Sequence, residues 1–433
     1  MTTTMESPLS RLTDEQIEEI GREFDAIHDE VFDELGDRDR KYITSMIEMH
    51  RRMVVTARIL LLASRVRPAQ VVGTSMLSLA KILENMEIGH NVMHGQWDWM
   101  NDPQISSTQW DWDSASTAEA WKHSHNYVHH TYTNIRGKDR DLGYEIMRID
   151  PHQKWNPVYL FQPFYNLILA AFFEWGVASH DLDFEAIKKG EKSKEQVKRE
   201  LKGMARKGWL QISKDYLTFP ILSAGAAAGV QLARRRSQED TLEAARETFM
   251  RTLQANFTAN IVRNVWAYAI IFCGHFPDQT YTFSQEETED ESRGGFYVRQ
   301  LLGAANIEGS PLFHVISGNL GYQVEHHLYP DMPSTRYAEI AGRVKEICQR
   351  YELPYNTGPF LKQLGMVQRT ILRLALPGGK PRPKPGPFKG SEDTAASQVN
   401  GHARPASSHT GANGSGPEQP SDGVRVSLPD RED

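Results

Sequence analysis

Three tight clusters of histidine constrain the fold of this chain more than any other feature of its sequence. They hold eight of the sixteen histidines, in the segments EIGHNVMHGQWDWMNDP, WKHSHNYVHHTYTN and GNLGYQVEHHLYPDMP. The clustered residues are His90, His94, His123, His125, His129, His130, His326 and His327. A four-residue spacing puts two side chains on one face of a helix, as expected for the pair His90 and His94 and for the pair His125 and His129.

A solvated polar helix is one explanation of the second cluster, but its neighbours argue against it. Trp121, Tyr127 and Tyr132 flank these histidines and indicate partial burial. Several buried imidazoles without ligands would be costly. His129 and His130 are adjacent and point about 100° apart on a helix, so one segment can face two metal ions.

The number of histidines exceeds what a structural zinc site needs. At least seven imidazoles would converge, whereas a tetrahedral zinc ion takes four ligands, so the pattern indicates two metals. The zinc protease motif is excluded because Asn91, and not Glu, follows His90. A ligand set of this size made of imidazole favours iron or copper redox chemistry.

The order HxxxH, HxxxHH and QxxHH resembles that of the membrane fatty acid desaturase family. The three boxes are His90/His94, His125/His129/His130 and Gln323/His326/His327. The contexts HNYVHHTYTN, IFCGHFPD and QVEHHLYPDMP are similar to the stearoyl-CoA Δ9 branch of that family, and the resemblance covers residues 10–375. It implies a mostly α-helical integral membrane fold, with about four transmembrane helices and a cytoplasmic helical cap that holds two non-haem iron ions.

The resemblance also implies a ligand set. The catalytic and metal-binding candidates are His90, His94, His125, His129, His130, His326 and His327. His275 matches a lone histidine between the second and third boxes and is added as a ligand, although a helix-end histidine that caps carbonyls is the alternative. His123 is a weaker candidate and His314 lies outside the motif. Gln323 and Ile271 depart from the residues of some relatives, and Asn319 could bind iron through water.

Four carboxylates near the boxes are candidates to accept hydrogen bonds from the ligand histidines. They are Glu87, Glu325, Asp139 and Asp141. For Asp139 and Asp141, which lie in the polar run IRGKDRD, an ordinary surface role is the default alternative. Four tryptophans around the first box could wall an acyl tunnel or sit at a membrane interface: Trp97, Trp99, Trp110 and Trp112.

Hydropathy alone leaves membrane residence open. The mean hydropathy of −0.53 argues against a chain that lies mostly in lipid, but two stretches are apolar enough to be considered as spans. Residues 216–233 are uncharged and 252–277 carry one arginine, which approaches the length of a membrane span. If all boxes face the cytoplasm, the chain crosses an even number of times between the second and third. The basic run 184–208 favours the cytoplasm, so 216–233 and 252–274 form the crossing hairpin and 155–173 is interfacial or buried.

Three regions are expected along the chain. They are a polar N-terminal helical segment at 1–50, the desaturase domain at 51–375, and a disordered tail rich in Pro, Gly and Ser at 376–433. Thr13 and Gln16 form a capping-box pattern at the start of the first helix. The N-terminus has no signal-peptide pattern. Two cysteines exclude a disulfide framework, and a net charge of −7 gives no basic footprint for nucleic acid.

The resemblance implies an O2-dependent enzyme that places a cis double bond in a long-chain acyl-CoA, at Δ9 of stearoyl- or palmitoyl-CoA. Electrons would come from NAD(P)H through a separate reductase or ferredoxin-type donor, since the chain has no haem-binding module, no GxGxxG turn and no cysteine set for an iron–sulfur cluster. We expect this donor to dock near residues 188–207. The alternatives are a front-end acyl-lipid desaturase, a di-iron fatty acyl hydroxylase and a zinc-binding protein without enzymatic activity.

Overall fold

Helices dominate the computed structural model, which describes residues 8–378 and 384–389, as the sequence predicts. The α-helices are α1 Asp14–Asp33, α2 Asp37–Leu62, α3 Arg67–Leu83, α4 Asn91–Met93, α5 Ala118–Trp121, α6 His130–Tyr132, α7 Gln162–Ala171, α8 Phe173–His180, α9 Phe184–Lys189, α10 Lys194–Ile212, α11 Phe219–Ala233, α12 Gln238–His275, α13 Arg293–Gly303, α14 Pro311–Ile316, α15 Gln323–Leu328, α16 Tyr337–Arg350 and α17 Phe360–Leu374. Strands β1 Asn306–Glu308 and β2 Thr357–Pro359 pair in parallel, with Asn306 opposite Thr357. Most of the expected tail lies outside the described residues.

The N-terminal helix α1 begins at the predicted capping box. The Thr13 side chain accepts a hydrogen bond from the Gln16 backbone, and the Gln16 side chain accepts one from the Thr13 backbone. The apolar face of α1 packs on α13 and α16. The approach to α13 is close, because a Cβ atom at Gly294 would lie 1.8 Å from the Ile17 carbonyl oxygen. Only glycine fits at that position without moving α1.

Helices α2, α3, α11 and α12 form a four-helix bundle made of two hairpins. α2 and α3 are joined through residues 63–66, and α11 and α12 through residues 234–237, while α12 also packs along α3. Small and aliphatic side chains, including Ala57, Leu77 and Ala259, fill the contact between the hairpins. The expected boundary at residue 50 falls inside α2.

A network of hydrogen bonds and ion pairs around Asp215 crosses the inside of this bundle. The buried carboxylate lies 2.8 Å from Lys81 Nζ and 3.0 Å from Arg58 Nη2. Asn256 donates to the Asp215 carbonyl oxygen and Asn260 donates to its carboxylate. Because a buried charge is tolerated when it is paired and hydrogen-bonded, these contacts tie all four helices together at one level.

The histidine clusters lie at the end of the bundle opposite the hairpin loops. There α3 continues as a π-helical segment, Glu84–His90, and α12 ends at His275. The segments between α3 and α11 and those after α12, together with α1, build a cap over this end. One of its cores joins α1, α13, α15 and α16, and another joins α7, α8, α17 and the end of α12.

Within the described residues, one continuous helix is long and apolar enough to cross a membrane by length and composition, Lys194–Ala233. It contains α10, a π-helical segment and α11. The segment 155–173 folds into a 3-10 turn, α7 and the start of α8, and exposes Phe161, Phe164 and Leu167.

A half-buried contact between His28 of α1 and Asp331 makes part of the stability depend on pH. His28 Nε2 lies 3.3 Å from Asp331 Oδ2. Burial disfavours protonation, but Asp331, with help from Asp29, outweighs it and raises the pKa of His28 above the ordinary value. A raised pKa in the folded state means that the contact stabilises the fold below the unfolded pKa of about 6.5, and that this contribution is lost as the pH rises through the folded-state value.

We therefore expect His28→Phe to lower the melting temperature of the purified chain more at about pH 6 than at about pH 9. Phenylalanine retains the stacking on Phe32, so packing changes little. Differential scanning fluorimetry at the two pH values measures the effect. An equal loss at both would show that the charged contact contributes nothing.

Candidate metal centre

Two of the three histidine boxes lie on π-helical segments. His90 ends the segment Glu84–His90, and His125 and His129 lie in Lys122–His129. Such segments are rare and occur mostly at functional sites. The predicted pairing on one face is observed: the ring centroids are 4.5 Å apart for His90 and His94 and 5.2 Å apart for His125 and His129.

The structure brings seven histidines into two adjacent groups. In each group the potential ligand atoms lie within 4.8 Å of one another. The first group is His90, His94, His125 and His326, and the second is His129, His275 and His327. His130 lies between them, with its ring centroid 4.8 Å from that of His94 and 4.6 Å from that of His327.

The imidazole nitrogens that face these groups have no hydrogen-bond partners. The buried and unpartnered atoms are Nε2 of His94, His125, His129, His326 and His327, both ring nitrogens of His130, and Nδ1 of His275. A buried polar atom without a hydrogen-bond partner lowers the stability of the fold by of order 1–3 kcal/mol. So many unpartnered nitrogens in one place therefore indicate a common ligand. Neutral imidazole suits iron, copper, nickel and zinc. The residues present therefore fit a pair of transition-metal ions.

Two aspartates orient the histidines of the second box. Asp139 is buried and lies 3.0 Å from His129 Nδ1, while Asp141 lies 3.4 Å from His125 Nδ1. An acceptor at Nδ1 leaves Nε2 free for a metal and raises its basicity. The ordinary surface role that the polar run suggested is wrong for both residues, because the chain folds back and buries them against the histidines.

The other two candidate carboxylates have different partners. Glu325 accepts hydrogen bonds from Asn306 and Tyr355. Glu87 is wholly buried and accepts one from Tyr42. For Glu325 the placement next to His326 in sequence was therefore misleading, because residues adjacent on a short helix point in different directions.

Uncharged side chains orient the third box instead, and no sequence motif predicts their contact with these histidines. His326 Nδ1 lies 3.1 Å from the Tyr337 hydroxyl, and His327 Nδ1 lies 3.0 Å from Gln300 Oε1. Gln300 also donates to the His130 carbonyl oxygen, so it links the second and third boxes. Neither residue forms a recognisable motif with the histidine that it contacts.

Several weaker candidates lie beside the two groups or apart from them. Gln323 Nε2 is 3.1 Å from His275 Nε2, and a Cβ atom at Gly274 would lie 2.7 Å from Gln323 Cγ, so glycine permits this approach. Asn319 donates to Glu87 and Ser334. The two other histidines are stacked on tyrosines, His123 on Tyr127 and His314 on Tyr322.

A partly enclosed cavity borders the first group. His90 and His125 line it together with the side chains of Trp112, Phe173 and Ile271. Of the four tryptophans considered above, Trp112 is in the cavity wall. The other three, Trp97, Trp99 and Trp110, pack in the core behind the first box. Most of the surface of this cavity is apolar, although Asp141, Glu174 and Arg263 also line it, and its volume of about 50 Å³ suits only a short stretch of a hydrocarbon chain.

Burial keeps most of these imidazoles neutral. Burial, and then the neighbouring histidines, hold the pKa values of His94, His130 and His326 well below the ordinary value. Burial also disfavours the charged form of Asp141, yet His129 and the other nearby histidines lower its pKa well below the ordinary range. His129 differs, because burial disfavours its charged form but Asp139 and Asp141 outweigh this effect and raise its pKa. The neutral form favoured at His94, His130 and His326 is the form that binds a metal.

Comparison with known proteins gives the family. Residues 68–359 match the family described as fatty acid desaturase. This chain belongs to that family.

Two relatives show how far the similarity extends. The NADPH-dependent stearoyl-CoA 9-desaturase of Mycobacterium tuberculosis strain H37Rv is 45% identical over 368 residues, which cover 85% of this chain and 82% of the relative. The sn-1 linoleoyl-lipid 6-desaturase of Synechocystis is 25% identical over 316 residues, covering 70% and 79%.

The contact between the Tyr337 hydroxyl and His326 Nδ1 should affect the affinity for metal. Tyr337→Phe leaves His326 Nδ1 without its acceptor, so we expect iron to bind roughly 10-fold more weakly. The matched control is Tyr355→Phe, which removes a buried hydroxyl that contacts Glu325 and Asn306 but no histidine. Iron content after competition with a chelator measures the change. Equal iron loss in the two variants would contradict a specific role for Tyr337.

Proposed function

We propose that this chain is an O2-dependent desaturase that introduces a cis double bond at Δ9 of a long-chain acyl-CoA such as stearoyl-CoA. The observation that carries the proposal is the pair of histidine groups with unpartnered nitrogens beside an apolar cavity. Family membership and the 45% identity to a stearoyl-CoA 9-desaturase support the substrate and the bond position. Residues 51–375 would form the catalytic domain.

The eight histidines would hold two iron ions. His90, His94, His125 and His326 would bind one, His129, His275 and His327 the other, and His130 lies within reach of both groups. Bound iron with O2 would supply the oxidant that removes hydrogen from an unactivated methylene. No acid–base pair of the chain could deprotonate such a carbon. These eight residues are all buried or nearly so, which keeps bulk water away from the oxidant.

The part of the acyl chain next to the reacting methylene would lie in the cavity that His90 and His125 border. Apolar walls from Trp112, Phe173 and Ile271 would bind the hydrocarbon, and the fixed position of the histidines would select which methylene faces the metals. Asp139, Asp141, Gln300 and Tyr337 keep the imidazoles in position throughout.

We infer that the four bundle helices α2, α3, α11 and α12 cross the cell membrane, with the histidines on the cytoplasmic side. Large apolar side chains are exposed on all four helices, and in a membrane they would face lipid. They include Val55, Ile59, Val71, Val72, Ile221, Leu222, Phe257 and Val265. The exposed phenylalanines of the segment 155–173 suit an interfacial position.

Electrons would reach the site from NADPH through a separate reductase or ferredoxin-type protein. The relative is named NADPH-dependent, and helix α10 offers a docking surface of suitable charge. Lys194, Lys198, Lys202 and Arg206 recur every four residues and are exposed, so they form one basic stripe. Such a stripe complements an acidic electron carrier.

A second candidate is a front-end acyl-lipid desaturase. Gln323 favours it, because the QxxHH box is shared with those enzymes, and the similarity to the lipid 6-desaturase of Synechocystis agrees. A hydroxylase with the same boxes would insert oxygen in place of removing the second hydrogen. The products distinguish all three.

Expression in a host that lacks Δ9 unsaturation should yield fatty acids lighter by two hydrogens with the double bond at C9, as measured by gas chromatography and mass spectrometry of derivatised lipids. His130→Gln should abolish the product, because the His130 ring lies between the two groups and both of its nitrogens are buried without a partner. His314→Gln is the matched control and should keep most activity, since His314 is stacked on Tyr322 outside the groups.

A double bond at C6 would overturn the proposed position, and a product heavier by one oxygen would identify a hydroxylase. Full activity of His130→Gln, or stoichiometric zinc in place of iron, would reject the proposal of an iron-dependent reaction at these histidines.

If the electron donor docks on the basic stripe of α10, removing its charges should selectively impair electron supply. Replacing Lys198, Lys202 and Arg206 with Gln should raise the KM for the donor protein severalfold and weaken the salt dependence of turnover, with less change in kcat. The matched control replaces Arg234, Arg235 and Arg236, three exposed arginines at the opposite end of α11. If both triple variants behave alike, the donor does not recognise α10.

A further inference from the structure

A buried histidine outside the three boxes contacts the metal centre through a carboxylate. His180 is the last residue of α8, is 8% exposed, and was not singled out by its sequence context. Its Nε2 atom lies 3.0 Å from Asp141 Oδ1. Because this nitrogen is engaged by Asp141, His180 is placed behind the ligands and is not one of them.

The other oxygen of Asp141 faces both histidine groups. Asp141 Oδ2 is 3.4 Å from His125 Nδ1 and 3.8 Å from His129 Nδ1. His125 belongs to the first group and His129 to the second. This oxygen is within hydrogen-bond distance of His125 alone, because His129 Nδ1 contacts Asp139 more closely, at 3.0 Å. The position of the oxygen that His125 uses depends on what holds the opposite oxygen.

His180 is itself held firmly. Arg140 donates to the His180 carbonyl oxygen at 2.7 Å, and also pairs with Glu145 and Asp183. On the ring, His180 Nδ1 lies 3.7 Å from Glu145 Oε2. The imidazole therefore has charged partners at both nitrogens and a fixed backbone, which is the arrangement needed to anchor a second side chain.

We propose that His180 is a positioning residue of the metal centre: it donates to Asp141 Oδ1 and so fixes the oxygen that orients His125. The inference rests on the proposed function, since it assumes that His125 binds metal. Its content is new relative to the boxes, because it makes the position of a histidine of the first group depend on one residue at the end of α8. Free rotation of Asp141 would leave His125 Nδ1 without a fixed acceptor, whereas His129 Nδ1 would keep Asp139.

Four variants of the full-length, detergent-purified chain test this role. His180→Phe removes the donor and keeps a ring, whereas His180→Gln keeps an amide donor near the position of Nε2. Asp141→Asn changes the acceptor, and the double variant His180→Phe/Asp141→Asn tests whether the two act together. His314→Phe is the matched control, a buried histidine to phenylalanine change away from both groups.

The readout is iron affinity from competition with a chelator, together with the Mössbauer spectrum of the iron-57 form. We expect His180→Phe to weaken iron binding about 10-fold and to alter the spectrum, and His180→Gln to restore affinity to within about twofold of the wild type. The double variant should bind iron no more weakly than Asp141→Asn alone, because His180 acts through Asp141. His314→Phe should match the wild type.

Wild-type affinity and spectrum in His180→Phe would overturn the inference. So would an equal loss in His180→Gln, which would show a packing role, or additive losses in the double variant, which would show independent action. The test does not depend on turnover: a wild-type chain that binds iron but makes no Δ9 product would reject the proposed substrate and leave the positioning role measurable.

Discussion

Buried imidazole nitrogens without hydrogen-bond partners are the constraint on which the rest of this structure depends. Seven histidines from four parts of the chain bring such atoms to one place: His94, His125, His129, His130, His275, His326 and His327. Without metal, their desolvation would cost many times the free energy of a single hydrogen bond. In four of these rings the nitrogen that does not face the groups is held by Asp139, Asp141, Gln300 or Tyr337. Metal binding and fold are therefore expected to be coupled.

The bundle and the cap each position part of this centre. His90 lies at the end of the segment that continues α3, and His275 lies at the end of α12. The network around Asp215 fixes the two hairpins relative to each other. The second and third boxes lie in the cap. Since each group takes ligands from both parts, a shift of the cap relative to the bundle would disturb both groups at once.

Patterns that act over one or two helical turns were predictable from the sequence. The capping box of α1 and the shared faces of His90 with His94 and of His125 with His129 are observed. His275, which only the resemblance suggested as a ligand, lies with His129 and His327. What could not be predicted depends on contacts between distant segments. Tyr337 and Gln300 carry no charge and no motif, and nothing near Asp141 in sequence points to His180. Glu325 misled because adjacency to His326 on a short helix does not bring the side chains together.

The central claim is that the eight histidines form one centre for two iron ions, and metal stoichiometry tests it most directly. The chain would be purified in full length from iron-supplemented cells, and iron and zinc per chain would be measured by mass spectrometry beside Mössbauer spectroscopy. The account predicts two iron ions per chain in magnetically coupled, histidine-rich sites, one for each group. A single metal per chain, or zinc at both positions with no iron, would contradict it.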